Sequence, residues 1–264
     1  MNRIRKKLSE LKEQGKKALI PYITPEFPFK GTTLPLLREL ERSGADMIEV
    51  GIPFSDPLAD GETIQHSSEV ALMNGVSIPL ILDAVREFRK SSDLPILLMG
   101  YINPILHFGT KRFLTASENA GVDGLIIPDL PPEEATELKV ASETHGISNV
   151  FLIAPTTPEV RIRLIDDLST DFSYCVSVTG VTGARTELGN DGSLDQFLER
   201  VRKNTRKAFV VGFGISRPEH VRYVWRYADG AVVGSALIRI QESSTSLEDA
   251  LTKSKNFLLS LRPS

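Results

Sequence analysis

The sequence predicts an α/β fold, a closed (β/α)8 barrel with one extra helix in front of it. Eight short apolar runs recur along the chain, and each is continuous rather than alternating, which is typical of strands buried on both faces. Helical patterns separate these runs from one end to the other, with no linker-like or low-complexity segment, which favours a barrel of the TIM type. An open, doubly wound sheet is the alternative, because periodicity alone does not establish closure.

Each predicted strand is an apolar, β-rich run. The eight runs are ALIPYIT (18–24), DMIEVGIP (46–53), PILLMGYI (95–102), GLIIPD (124–129), NVFLIAP (149–155), SYCVSV (173–178), AFVVGFGI (208–215) and GAVVGSALI (230–238). Eight such units in 264 residues match the size of one complete barrel, so we expect residues 1–264 to form a single domain.

The predicted helices show apolar residues on one face. Ile4, Leu8 and Leu11 recur at helical spacing and predict a short N-terminal cap helix. Five further segments and the start of a sixth follow between the strands, and the last two open on capping-box patterns at Ser193 and Ser216. Those five are 33–44, 79–90, 112–121, 133–146 and 193–201, and a sixth begins at 216–219.

Composition excludes several classes of protein. The chain is 41% hydrophobic and 25% charged, its net charge is −3 and its pI is about 5.9, so nothing draws it as a whole to nucleic acid or to an anionic membrane. A single cysteine, Cys175, excludes an intrachain disulfide and indicates a reducing, cytoplasmic setting. We expect no signal peptide and no membrane span, because no apolar segment of the required kind occurs.

Two acidic residues lie where a barrel places its chemistry, at the C-terminal ends of strands and in the loops that follow. Glu49 is inside the second apolar run, where an unpaired carboxylate is costly and its pKa rises. It is either paired with a Lys or Arg or it is a general acid and base. Asp60 lies in the loop that follows this strand. Acidic residues in loops usually only form turns, but this loop lies at the same C-terminal end of the barrel as Glu49.

The last two strands end in glycine-containing turns, GFGIS (212–216) and VVGSAL (232–237). Loops in these positions of a barrel often bind phosphate, so Gly214, Gly234 and Ser235 are candidate phosphate-binding residues. The Gly-rich loop 180–192 is either a lid or an ordinary connection. Four scattered histidines have no metal-ligand spacing, so we predict no metal site.

One stretch, EVGIPFSDPLADG, resembles the signature of the tryptophan synthase alpha chain family. The motifs PYIT, GYINP, IIPDLP, IAPT, GVTGAR, GFGIS and VVGSAL follow strands in the order of that family, over almost the whole chain. The resemblance implies a lyase that cleaves indole-3-glycerol phosphate into indole and glyceraldehyde 3-phosphate in tryptophan biosynthesis. It implies no cofactor in this chain, and a beta-chain partner that carries pyridoxal phosphate, in an alpha2beta2 heterotetramer.

The resemblance also implies roles for particular residues. Glu49 matches the acid/base position, and Asp60 matches the carboxylate that accepts the N–H of the indole ring. The binding residues that it implies are Gly183, Gly214, Gly234 and Ser235 for the phosphate, Tyr174 in the pocket, Tyr101, Ile153 and Phe213 around the indole ring, and Thr182, which meets Asp60 when the lid closes. The second and sixth loops are expected to face the partner.

Two positions depart from the family pattern. Glu62 stands where proline usually follows ADG, which predicts a looser loop around Asp60 and a raised pKa for that residue. Val178 stands where some members have a basic residue. Besides an active lyase, two hypotheses stay open: an impaired chain that mainly activates its beta-chain partner, and another phosphate-binding barrel enzyme such as a sugar-phosphate isomerase or a prenyltransferase.

Overall fold

The computed structural model describes residues 2–176, 192–212 and 214–262, and nine strands and twelve helices lie within them. The strands are β1 (Ala18–Ile23), β2 (Ile48–Gly51), β3 (Ile96–Met99), β4 (Gly124–Ile126), β5 (Ser148–Val150), β6 (Leu152–Ile153), β7 (Phe172–Val176), β8 (Ala208–Gly212) and β9 (Gly230–Val233). The helices are α1 (Arg3–Glu13), α2 (Thr33–Arg42), α3 (Glu62–Met73), α4 (Ile78–Arg89), α5 (Ile102–Phe108), α6 (Thr110–Ala120), α7 (Thr136–Thr144), α8 (Glu159–Leu168), α9 (Ser193–Asn204), α10 (Pro218–Trp225), α11 (Ser235–Glu242) and α12 (Leu247–Leu261).

The strands form a closed parallel barrel. Neighbours pair in the order β5-β4-β3-β2-β1-β9-β8-β7-β6, and each strand pair is parallel. β5 and β6 are the two halves of the fifth barrel strand, interrupted at Phe151, whose carbonyl accepts the Tyr174 amide at 3.0 Å. One half pairs with β4 and the other with β7, so the ring closes. The predicted barrel is confirmed, and the open sheet is excluded.

Side chains alternate between two apolar layers, as they must in strands buried on both faces. In β2, Ile48 and Val50 pack outward against the helices, while Met47, just before the strand, packs in the barrel interior. The alternation therefore turns Glu49 inward. The main inward-facing residues of the other strands are Ala18, Ile20, Tyr22, Leu97, Ile126, Val150, Phe172, Tyr174, Val210 and Val232.

The predicted N-terminal cap helix is confirmed as α1, which covers the N-terminal end of the barrel. Ile4 is fully buried in the interior cluster, with Leu11 beside it. Asn2 caps the helix by accepting the Ile4 amide, and its side chain donates to the Asp123 carbonyl at 3.0 Å. With this end covered, the interior can open only at the opposite end, where the strands finish.

Several helices differ from the sequence predictions. The run GAVVGSALI is a strand only to Val233, because the Gly234 backbone (φ −113°, ψ −87°) leaves the strand and α11 begins at Ser235. The two predicted caps are each wrong by one residue: α9 begins at Ser193 itself, after Gly192, and α10 begins at Pro218, after Arg217, with proline at a position that suits it. Helices α3, α5, α8 and α12 have no counterpart among the predicted segments.

Within the described ranges, no single helix has the length and apolar composition needed to cross a bilayer. Helices α3 and α4 reach that length and composition only when taken together, and a bend of 94° separates them.

Candidate active site

A cavity of about 200 Å³ lies at the C-terminal end of the barrel. It brings together six of the residues that the sequence singles out: Glu49, Asp60, Tyr174, Gly214, Gly234 and Ser235. The rest of its wall comes from Tyr22, Ala59, Ile64, Met99, Val176, Gly212, Ile215 and Val232. A polar end and an acidic end therefore share one cavity at this end of the barrel.

Glu49 is the most deeply buried acid of the cavity, with 1% of its surface exposed. Burial raises the pKa of its carboxyl group to about 8, the nearby charge of Asp60 adds to this rise, and a hydrogen bond from the Tyr174 hydroxyl opposes it. Among the residues that the structure describes, the Lys or Arg partner that a structural role would need is not one of the groups that shift this pKa. Glu49 is consequently protonated at neutral pH and can give up that proton inside the barrel.

Asp60 reaches the same cavity from the loop between β2 and α3. Partial burial raises the pKa of its carboxyl group to about 6, and a hydrogen bond from the Tyr101 hydroxyl opposes the rise. The Tyr101 oxygen also accepts the Ala59 amide at 2.9 Å, and the Gln65 side chain donates to the Asp60 carbonyl at 2.9 Å. The loop is thus held from β3 on one side and from α3 on the other.

The two acids differ in protonation at neutral pH. Because Glu49 keeps its proton up to about pH 8 and Asp60 loses its own above about pH 6, one is an acid while the other is an anion. A pair of titratable groups whose environments separate their pKa values is the usual arrangement for dividing acid and base roles. The cavity can therefore donate a proton and stabilise a positive charge at the same time.

The polar end of the cavity has the features of an anion site. Gly234 caps α11, and the first backbone N–H groups of that helix have no carbonyl within the helix to bind, so they and the helix dipole favour an anion there. Gly214 has φ +41°, in the left-handed region where glycine is favoured. His220, which the sequence did not single out, is buried next to this turn, and its Nδ1 accepts the Ser216 amide at 3.4 Å.

Two residues that were predicted to surround the indole ring, Tyr101 and Ile153, have surroundings that differ from the prediction. Tyr101 lines a small adjoining cavity with Tyr22, Phe54 and Asp60, and its ring packs 5.6 Å from that of Phe54. Ile153 is fully buried in the layer between strands and helices, since its neighbour Leu152 takes the inward-facing position in β6. The structure thus does not place the Ile153 side chain in the cavity wall, which corrects that expectation.

Three predicted binding residues, Thr182, Gly183 and Phe213, lie outside the described residues, as does Val178. Of the Gly-rich loop 180–192, only Gly192 is described. Their expected roles stay predictions.

Glu62 has a local structural role. It is exposed at the first position of α3, where a negative charge is favourable near the helix N-terminus. The pKa of Asp60 is shifted by burial and by Tyr101, so the expectation that Glu62 raises it is not supported. Proline is also common at the first position of a helix, so this helix start is compatible with either residue.

Sequence reasoning missed Tyr22, which lines both cavities from β1. It lies in the PYIT motif, and its position next to Glu49 depends on the pairing of Tyr22 with Glu49 across β1 and β2. Only strand register could have revealed this contact.

Together, these features define a class: a (β/α)8-barrel protein with an acid pair and an anion-binding turn in one cavity at the C-terminal end. The family model for the tryptophan synthase alpha chain matches residues 8–262. A tryptophan synthase alpha chain from Pelodictyon phaeoclathratiforme is 47% identical over 97% of this chain and 98% of its own length. The chain belongs to the tryptophan synthase alpha chain family.

Solved structures agree with this assignment. The alpha subunit of tryptophan synthase from Legionella pneumophila superposes with a TM-score of 0.91 at 39% identity, covering 99% of this chain and 97% of that one. A structure concerned with mutual activation of the tryptophan synthase a2b2 complex from Pyrococcus furiosus gives a TM-score of 0.85 at 42% identity, covering 92% of this chain and 97% of that one.

Proposed function

We propose that this chain cleaves indole-3-glycerol phosphate into indole and glyceraldehyde 3-phosphate by a retro-aldol reaction, as the alpha subunit of a tryptophan synthase. The observation that supports this most is the acid pair: a protonated Glu49 and an ionised Asp60 share one cavity near neutral pH. A retro-aldol cleavage at an indole ring requires both a proton donor and a partner for a transient positive charge.

Glu49 performs both proton transfers in this proposal. It first donates its proton to C3 of the indole ring, the carbon that carries the glycerol chain, and becomes a carboxylate. That carboxylate then takes the proton of the hydroxyl group on the adjacent carbon. The carbon–carbon bond breaks, its electron pair returns to the ring, and indole and an aldehyde result. A carboxyl group with a pKa of about 8 suits this cycle, because it both gives and regains a proton near pH 7.

Asp60 stabilises the charge that forms between these two transfers. Protonation at C3 makes the ring nitrogen positive, and an ionised carboxylate that accepts the ring N–H holds that charge in a water-poor site. Asp60 is ionised above about pH 6, and the Tyr101 hydroxyl favours its charged form. Loss of such a partner typically costs about 3–4 kcal/mol in the barrier.

In this proposal, the phosphate of the substrate binds at the polar end of the cavity. Gly234 and Ser235 offer the start of α11, and Gly214 offers a backbone that an anion can approach closely. Gly183 belongs to the same proposed phosphate site. Tyr101 and Phe213 are proposed as walls for the indole ring, Tyr174 as a pocket residue that contacts Glu49, and Thr182 as the partner of Asp60 on closure.

A beta chain is the proposed partner, and pyridoxal phosphate belongs to that chain rather than to this one. The similar Pyrococcus furiosus protein is part of an a2b2 complex. In the loop that carries Asp60, Leu58 is 93% exposed, so a partner bound there would bury an apolar side chain and restrain Asp60. The expected cytoplasmic setting rests on the single, buried Cys175.

Indole release from indole-3-glycerol phosphate, measured for the chain alone and with a beta chain, tests this function. We expect indole from the isolated chain and faster release in the complex. Faster beta-chain chemistry with added indole, but no indole formed in either assay, would instead identify a partner that only activates. Turnover of a sugar phosphate without an indole ring would indicate a different barrel enzyme.

A further inference from the structure

The small cavity that adjoins the active site has polar side chains on its wall: Tyr22, Asp60, Ser68 and Tyr101. Its volume is about 10 Å³, which is close to the space that one water molecule needs. The rest of the wall is formed by Ile52, Phe54, Met99, Gly100 and Pro128. Tyr22, Asp60 and Met99 also line the active-site cavity, so a molecule bound in the small cavity lies next to the acid pair.

Ser68, on the buried side of α3, contributes a hydroxyl group that is not used elsewhere. The residue is 4% exposed, and its Oγ has no hydrogen-bond partner among the described residues. In that part of the chain, the side-chain atoms that are both unpartnered and fully enclosed are Ser117 Oγ, Arg200 Nε, Gln241 Oε1 and Arg262 Nε. Ser68 Oγ is not one of them, so it borders open space, and the space that Ser68 lines is the small cavity.

The neighbouring Ser67 shows how a buried hydroxyl is satisfied in the same helix. It is 0% exposed, its Oγ lies 2.7 Å from the Thr24 Oγ1, and it donates to the Ile64 carbonyl at 2.9 Å. A buried hydroxyl without such contacts is costly unless a water molecule supplies them. Ser68 therefore requires a partner inside the small cavity.

We propose that the small cavity binds one water molecule, which donates a hydrogen bond to the Asp60 carboxylate and is held by the Ser68 hydroxyl. Ser68 is then a positioning residue that acts on Asp60 through this water. The Tyr22 hydroxyl group on the same wall completes the usual set of about three partners for a buried water.

The inference rests on the proposed function, in which the Asp60 carboxylate accepts the ring N–H of the substrate. A carboxylate has lone pairs for several donors, so the water and the ring N–H bind it together. The water fixes the orientation of the group, and its hydrogen bond favours the charged form that the reaction uses. Loss of Ser68 should therefore change the ionisation of Asp60.

The groups around Asp60 leave its own ionisation as the event that Ser68 affects near pH 6. The described titratable residues that face it are Tyr22 from β1, Glu49 from β2, Tyr101 after β3 and Tyr174 from β7. Burial raises the pKa of each of them, so all four are uncharged in this range. The nearest acids along the chain, Asp56 and Glu62, are exposed, and solvent screens their charges.

The test measures the titration of Asp60 by 13C NMR of protein labelled in its aspartate carboxyl groups, with Asp60→Asn to identify the resonance. In Ser68→Ala we expect the midpoint of Asp60 to rise by about one pH unit, because the water loses its anchor and the carboxylate loses a hydrogen bond. The rising limb of kcat/KM should move by the same amount, and the falling limb should not move. The titration requires no turnover, so it tests the water site separately from the lyase activity.

Ser67→Ala is the matched control, because it removes a buried hydroxyl one residue away that contacts Thr24 and Ile64 instead of the small cavity. It should leave the titration of Asp60 unchanged. A high-resolution crystal structure of the wild type should show a water within hydrogen-bond distance of both Ser68 Oγ and the Asp60 carboxylate. An unchanged titration in Ser68→Ala, an equal shift in Ser67→Ala, or no water between Ser68 and Asp60 would each overturn the inference.

Discussion

At the scale of single residues, the site keeps a carboxyl group where folding alone would place an apolar side chain. Glu49 follows Met47 on the interior face of the barrel, and its folded-state pKa of about 8 lies well above the ordinary value of 4.5. A carboxyl group with a raised folded pKa costs no stability below its unfolded pKa. The cost appears as pH rises from the unfolded value through the folded one. Glu49 thus lowers the stability of the folded protein at neutral pH, and in return it keeps a proton that can be donated at that pH.

Glu49→Gln should therefore stabilise the protein in a pH-dependent way. Glutamine has nearly the shape of the protonated acid and never ionises, so the free energy of unfolding should exceed that of the wild type by roughly 3 kcal/mol near pH 7. The difference should shrink to below about 1 kcal/mol near pH 5, because that pH lies only about half a unit above the unfolded pKa of 4.5. Urea unfolding at the two pH values measures it, and a difference that is constant or larger at low pH would contradict the raised pKa.

The pH dependence of the reaction follows from the same two residues. The proposed mechanism requires ionised Asp60 and protonated Glu49, so kcat/KM should rise with a pKa of about 6 and fall with a pKa of about 8. Tyr174→Phe removes the hydrogen bond that lowers the Glu49 pKa, so the falling limb alone should move to higher pH. A profile that keeps rising above pH 8 would mean that Glu49 does not act as the proton donor.

At the scale of elements, the loop between β2 and α3 determines where Asp60 lies. Tyr101 and Gln65 hold that loop, and α3 begins directly after Gly61, whose extended backbone (φ −79°, ψ 162°) is also the conformation favoured before proline. Glu62 thus occupies a position where either an acid or a proline is compatible with the helix.

Glu62→Pro should be nearly neutral. Proline at the first helical position costs no helix hydrogen bond and restricts the unfolded chain, while the lost charge removes a small favourable interaction with the helix dipole. We expect a Tm within about 2 °C of the wild type and unchanged kcat/KM for indole release. A large loss of activity in a normally folded variant would show that Glu62 itself takes part in holding Asp60.

The strands could be predicted from the sequence because each is a continuous apolar run. The first residue of each helix, and whether a strand side chain points into the barrel or toward the helices, could not. In GAVVGSALI, small and apolar residues continue past Gly234, so the composition does not mark the boundary. Only the backbone geometry shows that the strand ends before Gly234 and the helix begins after it. Ile153 was expected in the pocket, but β6 is two residues long and its inward position belongs to Leu152. Glu49 and Asp60 were singled out because a carboxylate inside a strand or in the loop after it is unusual, whereas Tyr22 was not, because its place in the cavity depends on strand register.

At the scale of the whole molecule, stability and chemistry lie at opposite ends of the barrel. At the N-terminal end, Asp123 accepts the Ile96 amide at 2.8 Å, pairs with Arg3 at 3.1 Å and contacts Arg89. The side chains of Asp123 and Arg89 are 3% and 9% exposed, so their charges depend on each other. This network joins α1 and α4 to the barrel, far from the cavity.

Asp123→Asn should lower the free energy of unfolding by about 3–5 kcal/mol, because it leaves the buried Arg89 without its counter-charge. Under conditions where the variant stays folded, kcat/KM for indole release should be unchanged. Asp93→Asn is the control, since Asp93 also pairs with Arg3 but is 89% exposed, and it should change stability little. Equal destabilisation by both substitutions would contradict the role of burial.

The most direct measurement is indole release from indole-3-glycerol phosphate by the wild-type chain and by Glu49→Gln, with folding of both verified by thermal unfolding. We expect indole from the wild type. The Glu49→Gln chain should be at least as stable and should still bind the substrate, but it should release no detectable indole because it has no proton to donate or regain. Indole release at the wild-type rate by a correctly folded Glu49→Gln chain would contradict the assignment of Glu49 as the acid and base of this site.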